Sequence, residues 1–219
     1  MAGGVAAGGQ LTTTTDVENY PGFPTGISGV ELTDLYRQQS INCGARIETA
    51  TVESVNLNDR PFTVDTGDQL VNARTLIIAT GATAKRLHVP GVDLLWQKGI
   101  SACAVCDGAL PLFRNKPLVV VGGGDTACEE SLFLTRYGSS VTMLVRRDVM
   151  RASKTMQHRV LANEKIRIAW QTELVAVLGD PLVSAVCVRD NLSGEERKLE
   201  SSGLFFAIGH KPNTDFLNG

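Results

Sequence analysis

The chain predicts an α/β fold built around a parallel sheet. Three observations carry this. The apolar run Leu118-Val119-Val120-Val121 has the length and content of a strand buried on both faces. It leads straight into Gly122-Gly123-Gly124-Asp125-Thr126-Ala127, and a helical stretch from Ala127 to about Tyr137 then stops at Gly138. A second apolar run, Val141-Thr142-Met143-Leu144-Val145, follows at the distance a strand–helix–strand unit requires.

The first residues are small and polar, with Gly3-Gly4, Gly8-Gly9 and threonines from Thr12 to Thr15, and by composition read as a solvated loop. Pro21-Gly22-Phe23-Pro24 is a turn signal that ends it. Over residues 28–43, Val30, Leu32, Leu35 and Tyr36 fall roughly at helical spacing, Gly44 is placed to stop the helix, and Cys43 reads as a packing residue. Short alternating runs at 47–55, 62–65 and 71–78, with a turn at Thr66-Gly67-Asp68, predict a β-rich meander. Within 85–93, Val89-Pro90-Gly91 marks a crossing between units, and a second crossing is expected near 209–212.

Next comes Cys103-Ala104-Val105-Cys106-Asp107, a spacing at which two thiols close a small ring and reopen it by thiolate exchange, beside a carboxyl able to handle a proton. Half of a zinc site is the other use of such a pair, but it needs a second ligand pair at defined spacing, and Cys43, Cys128, Cys187, His88, His158 and His210 do not supply one. No metal is expected. The glycine run that follows is G-x-G-x-x-A: Gly122 for the tight turn, Gly124 for close approach of backbone to a pyrophosphate, Ala127 for close packing of helix on strand. A pyrophosphate suits the N-terminus of the helix, where free N–H groups favour negative charge. After the second strand a site for a free ribose 2′-hydroxyl usually has Asp or Glu. Here stand Arg146, Arg147 and, a turn later, Arg151, which suit a 2′-phosphate and favour NADPH over NADH.

Residues 154–163 read as a short helix and 166–170 as a strand, while 173–178, 182–189 and 198–199 form a β-meander with a turn at 191–194. Leu204-Phe205-Phe206-Ala207-Ile208-Gly209 closes the unit as a buried strand. Trp96 and Trp170 read as core or interface residues. The fold class is thus a Rossmann-like NAD(P)-binding domain of three layers with an inserted β-meander.

The segments at 8–24 (GGQLTTTTDVENYPGFP), 76–87 (LIIATGATAKRL), 99–109 (GISACAVCDGA), 119–130 (VVVGGGDTACEE), 145–154 (VRRDVMRASK) and 203–214 (GLFFAIGHKPNT) together resemble the low-molecular-weight flavoprotein thioredoxin reductases of bacteria, cyanobacteria and plants. The resemblance implies an NADPH-dependent enzyme that passes electrons through FAD to a Cys103–Cys106 disulfide and on to thioredoxin. Cys106 would face the flavin, Cys103 would exchange with thioredoxin, and Asp107 would protonate the departing thiolate. It places NADPH at Gly122, Gly124, Thr126, Ala127, Arg146, Arg147, Arg151 and Ile208. It places FAD at Gln10, Leu11, Thr15, Asn19 and Val52, and passes the strand ending at Thr80-Gly81 near the flavin. Val145 stands where many members have His.

The domains it implies are a partial FAD-binding domain at 1–86, lacking its first dinucleotide-binding unit, an NADP-binding domain with the cysteine pair at 87–210, and the start of the return at 211–219. Two hinge strands join them and would let one domain rotate. Members are usually homodimers. Two other readings are a non-catalytic NADP-binding fragment and the flavoprotein reductase of a peroxiredoxin, whose extra N-terminal segment is not seen.

A chain of 219 residues, 43% hydrophobic, has enough apolar content for one sizeable core or two small ones. Its net charge of −2 gives no polyanion-binding signature, so no nucleic-acid partner is expected. No apolar run approaches membrane-spanning length, and the first residues lack the pattern of a secretory leader. Five cysteines with one close pair suit a reducing compartment, and the expected location is cytoplasmic.

Overall fold

A computed structural model describes residues 8–13, 16–17 and 20–217. The chain forms two compact units, one from the residues up to Thr83 and from Pro212 onward, the other from Ala84–Lys211.

In the first unit β1 (Asp16–Val17) and β2 (Ile27–Ser28) pair antiparallel, and α1 (Gly29–Asn42) follows directly. Ser28 caps that helix, its hydroxyl accepting the Glu31 N–H at 3.2 Å, and Cys43 closes it through its own N–H to the Gln39 carbonyl. The helix buries little: Leu32 joins Val17 and Ile27 in a small core, while Val30 and Leu35 are exposed. Two paired residues on each strand offer too narrow a surface to cover the whole stripe that the spacing predicts. Cys43 is exposed and does not pack.

The antiparallel meander of β3 (Ser54–Asn56), β4 (Phe62–Asp65) and β5 (Leu70–Ala73) occupies the expected region, but its outer strands are shorter than the apolar runs suggest. Residues 76–81 form no ladder, and Ile77 is 90% exposed. An apolar run becomes a strand only where a neighbouring strand satisfies its backbone groups, and among the described residues no strand pairs with it. The chain leaves this unit along β6 (Ala82–Ala84) and returns to it at Pro212.

The second unit opens with α2 (Val92–Leu95), β7 (Ile100–Ser101) and α3 (Ala104–Asp107). It continues through β8 (Pro117–Val121), α4 (Asp125–Leu134), β9 (Ser140–Val145), α5 (Lys154–Leu161) and β10 (Ile166–Trp170). It closes with β11 (Thr172–Gly179), β12 (Val183–Asp190), β13 (Glu196–Glu200) and β14 (Gly203–Phe206), and the chain leaves it along β15 (His210–Pro212). The central sheet is all-parallel in the order β10-β9-β8-β14-β7, and β11-β12-β13 form a separate antiparallel meander.

Side-chain alternation explains the three layers. On β8, Leu118 and Val120 turn towards α4 and α5, while Val119 and Val121 turn towards the meander. Phe205 of β14 joins the helix side, and Leu204 and Phe206 join the meander side. Both faces are covered, which is why these strands read as unbroken apolar runs. Each such buried side chain contributes about 1.5–3 kcal/mol, so this double core dominates the stability of the unit. Of the tryptophans, Trp96 packs partly on the meander side beneath the Arg86 guanidinium, 4.2 Å from its ring centre, whereas Trp170 is 37% exposed and so lies outside the core, the first of the two places expected for it. Among the described residues no helix is long and apolar enough to cross a membrane.

Candidate active site

The edge strand β7 delivers the chain to the cysteine pair. One turn of α3 sets residues three apart on the same side, and Cys103 and Cys106 are joined as a disulfide with their Cα atoms 5.3 Å apart. Cys103 caps α3, its sulfur accepting the Cys106 N–H at 3.2 Å. Ser101, only 5% exposed, orders the turn from below: its hydroxyl accepts the Cys103 N–H at 3.0 Å and donates to Asp107 Oδ2 at 2.5 Å. Cys106 and Val105 are exposed, whereas Cys103 and Asp107 are half-buried. Of the remaining cysteines, Cys128 is buried and its thiol is pushed up to about 11 by burial, which keeps it protonated and unreactive.

Helix α3 packs on α4, and α4 begins at the glycine turn. Gly122 has φ +148°, and a Cβ there would lie 2.4 Å from the Ala207 carbonyl oxygen. Gly124 is the N-cap of α4, offers no capping side chain, and has nothing within 4 Å of where its Cβ would be. The first N–H groups of α4 therefore meet open space, as a pyrophosphate cradle requires. Thr126 is exposed beside them, and Ala127 is fully buried against the sheet.

Arg146, Arg147 and Arg151 are exposed on the loop after β9, and none of them pairs with a carboxylate among the described residues. The loop is pinned to the glycine turn by the Arg151 and Ala152 N–H groups on the Gly123 carbonyl at 2.7 and 3.2 Å, and by the Ser153 N–H on Asp125 Oδ1 at 2.8 Å. These bonds from Ser153 hold the Asp125 carboxyl below its usual range. Asn191 Nδ2 and the Gln171 N–H tie its other side to the carbonyls of Arg146 and Arg147. Ile208 is half-buried against the meander-side core. Asp125→Ala frees the arginine loop at one end, so preference for NADPH over NADH is expected to fall by roughly five- to tenfold, as loss of one hydrogen bond of ordinary net strength implies. Asp125→Asn keeps the acceptor oxygen and should restore it; titrating both nucleotides by protein fluorescence checks this.

In the other unit Gln10 and Leu11 lie in a 3₁₀ turn, Gly9–Thr13, with Leu11 packed on Val17, Ile27 and Leu32. Val52 is half-buried. Thr80 and Gly81 are exposed, and both their carbonyls are held by Asn213, through its side-chain amide and its backbone N–H, each at 3.0 Å. Thr15 and Asn19 lie outside the described residues.

Four residues of this architecture escaped the sequence reading. Ser101, Asp125 and Asn213 act through backbone partners that no local pattern announces. Glu130 had a signal: it stands at helical spacing from the buried Ala127, Ser131 and Leu134 of α4, where a carboxylate is out of place, and it is itself half-buried. It accepts the Ala104 N–H, and burial pushes its carboxyl up to about 7.

An accessible disulfide and an uncapped glycine turn at the two ends of one helical contact define the class of a nucleotide-dependent disulfide oxidoreductase. The whole chain, residues 1–219, matches the family described as pyridine nucleotide-disulphide oxidoreductase. It is 59% identical to a thioredoxin reductase of Dictyostelium discoideum and 54% identical to thioredoxin reductase 1 of Saccharomyces cerevisiae, in each case over 100% of this chain and 70% of the relative. Among solved structures, the thioredoxin reductase from Giardia duodenalis superposes with a TM-score of 0.80 at 41% identity, covering 98% of this chain and 69% of that one. The enzyme from Streptococcus pyogenes gives 0.77 at 37%, covering 96% and 68%. The chain belongs to the thioredoxin reductase family. Its likeness thus extends beyond bacterial, cyanobacterial and plant members to fungal and amoebal ones.

Proposed function

We propose that this chain is the electron-carrying core of a thioredoxin-disulfide reductase: NADPH and H⁺ reduce the Cys103–Cys106 disulfide to two thiols, releasing NADP⁺, and the dithiol reduces thioredoxin by exchange. The observation that carries this reading is that a partly exposed disulfide turn packs on the same helix, α4, whose free N-terminus follows the glycine turn. FAD, when bound, supplies the intermediary that accepts a hydride and hands two electrons to a disulfide.

The chain's own residues bind, orient and move protons. Gly124 and the first amides of α4 receive the pyrophosphate, with Gly122, Thr126, Ala127 and Ile208 shaping the approach. Arg146, Arg147 and Arg151 clamp the 2′-phosphate, and the bonds from Gly123 and Asp125 hold their loop in place. On the flavin side Gln10, Leu11, Thr15, Asn19, Val52, Thr80 and Gly81 are the residues assigned, and the open space at Gly81 fits close approach of a ligand. Cys106, the more exposed sulfur, takes the flavin-facing role, and Cys103 exchanges with thioredoxin. Asp107, oriented by Ser101, protonates the departing thiolate.

The unit up to about residue 86 serves FAD and that of 87–210 serves NADPH, with the chain returning at 211–219. A cytoplasmic location is supported by the three free cysteines beside a single working disulfide. The purified chain should show a flavin absorption band and oxidise NADPH in proportion to thioredoxin thiols formed. A colourless protein that binds NADPH without reducing thioredoxin would instead be a nucleotide-binding module.

A further inference from the structure

The mechanism above leaves one buried acid unused. Glu130 lies in the second turn of α4, behind the helix that carries the disulfide. One of its oxygens takes the N–H of Ala104, the fully buried residue next to Cys103, and its Oε2 is buried with no hydrogen-bond partner among the described residues. We infer that Glu130 is a positioning residue of the redox pair, which orders the turn through Ala104 and whose charge acts on the reduced thiols across it.

The surroundings leave the carboxylate uncompensated. Helix α4 packs against α3, α5, β8 and β9. From α3 come Asp107 and the two cysteines; α4 itself carries Asp125, Cys128 and Glu129; α5 brings Lys154, His158 and Arg159; β8 and β9 carry no titratable side chain. No cation among these offsets the burial, and only the Ala104 N–H favours the ionised form. Glu130 therefore holds its proton to about pH 7, where a thiolate is also required for exchange.

Reduction converts one S–S bond, two electrons and two protons into two thiols. A thiolate in front of Ala104 and a carboxylate behind it repel, so ionising one raises the pKa of the other. Two groups so placed titrate as a pair. Near neutrality the reduced turn holds either a thiolate with a protonated Glu130 or a thiol with an ionised one. Glu130 thereby tunes how much thiolate is present without touching the substrate, and keeps the turn tied down through Ala104.

The test uses the full chain, reduced with dithiothreitol and desalted, with iodoacetamide as probe and mass spectrometry of the peptide containing Cys103 and Cys106 as readout. The parent's alkylation rate should rise with pH in two steps, one centred near pH 7. Glu130→Gln, close in shape but uncharged, should rise in a single step and react roughly threefold faster at neutral pH, the factor given by half a pH unit in a thiol titration. Glu130→Asp should restore two steps. A Glu130→Gln profile that superposes on the parent's overturns the inference.

A second measurement needs no variant: the Glu130 carboxyl, followed by carbon-13 NMR, should titrate at a different midpoint in the disulfide and dithiol forms, and equal midpoints overturn the inference as well. The inference rests on Cys103–Cys106 being the working disulfide. A pair that dithiothreitol cannot reduce would sink that reading, whereas superposed profiles on a reducible pair sink only this one.

Discussion

Cys106→Ser is expected to abolish reduction of thioredoxin, by more than about a thousandfold, while leaving affinity for NADPH within about twofold. The loss follows from chemistry. A serine hydroxyl neither forms a disulfide nor leaves as a stable anion at neutral pH, so electrons reaching the turn have no bond to break. Cys103 alone closes no ring. The local fold should survive, because α3 is held by backbone bonds: the Asp107 and Gly108 N–H groups reach the carbonyls of Cys103 and Ala104. Losing so small a ring removes a constraint on the unfolded chain worth about 2 kcal/mol by loop-closure arithmetic, and the oxidised parent is more stable by about that amount. The nucleotide turn lies at the N-terminus of α4, and nothing in it depends on the sulfur. Steady-state turnover with NADPH and thioredoxin, beside a nucleotide titration of the same sample, reads both arms. Turnover at the parent's rate would show that another group carries the electrons.

What could be read from the chain in advance was whatever local order dictates. The run Leu118–Val121, the glycine turn, the helix after it and the strand at 141–145 are each set by neighbours a few residues away, and the structure has all of them, the helix running over Asp125–Leu134 rather than from Ala127 to about Tyr137. The meander of β11, β12 and β13 was visible for the same reason, its turn at 191–194 being fixed by the Asp190 carboxylate on the Leu192 and Ser193 N–H groups. Elements that depend on distant partners were not legible. Residues 76–81 are as apolar as β8, yet form no ladder, because β pairing is decided by what lies alongside. Cys43 and Trp170 were judged by residue type, and exposure is a property of the surrounding fold. The cysteine pair announced itself by spacing and is joined in the structure, whereas Ser101 became visible only once its hydroxyl was seen between the Cys103 N–H and Asp107.

The glycine turn offers a prediction in which folding and binding separate. Gly122→Ala is expected to cost the second unit about 3 kcal/mol or more and to lose nucleotide binding with it. Its φ of +148° is strained for any side chain, and the new Cβ would sit 2.4 Å from the Ala207 carbonyl oxygen and 3.0 Å from the Ala127 methyl. Neither neighbour yields easily. The Ala207 N–H bonds the Val121 carbonyl at 2.9 Å, fixing β14 against β8, and Ala127 is fully buried at the start of α4. Relief requires the strand end or the helix to move, and either movement displaces the amides proposed to receive the pyrophosphate.

Gly124→Ala should behave differently. Its φ of −96° suits any residue and the space around its Cβ is open, so stability should change by less than about 1 kcal/mol. On the proposed reading backbone and pyrophosphate approach there, so a methyl group should weaken NADPH binding by roughly tenfold or more. Urea unfolding of the two variants, set beside NADPH titration, distinguishes a turn that only folds from one that also binds. If Gly124→Ala keeps the parent's affinity, the pyrophosphate does not rest on this turn and the arginine loop must be serving some other anion.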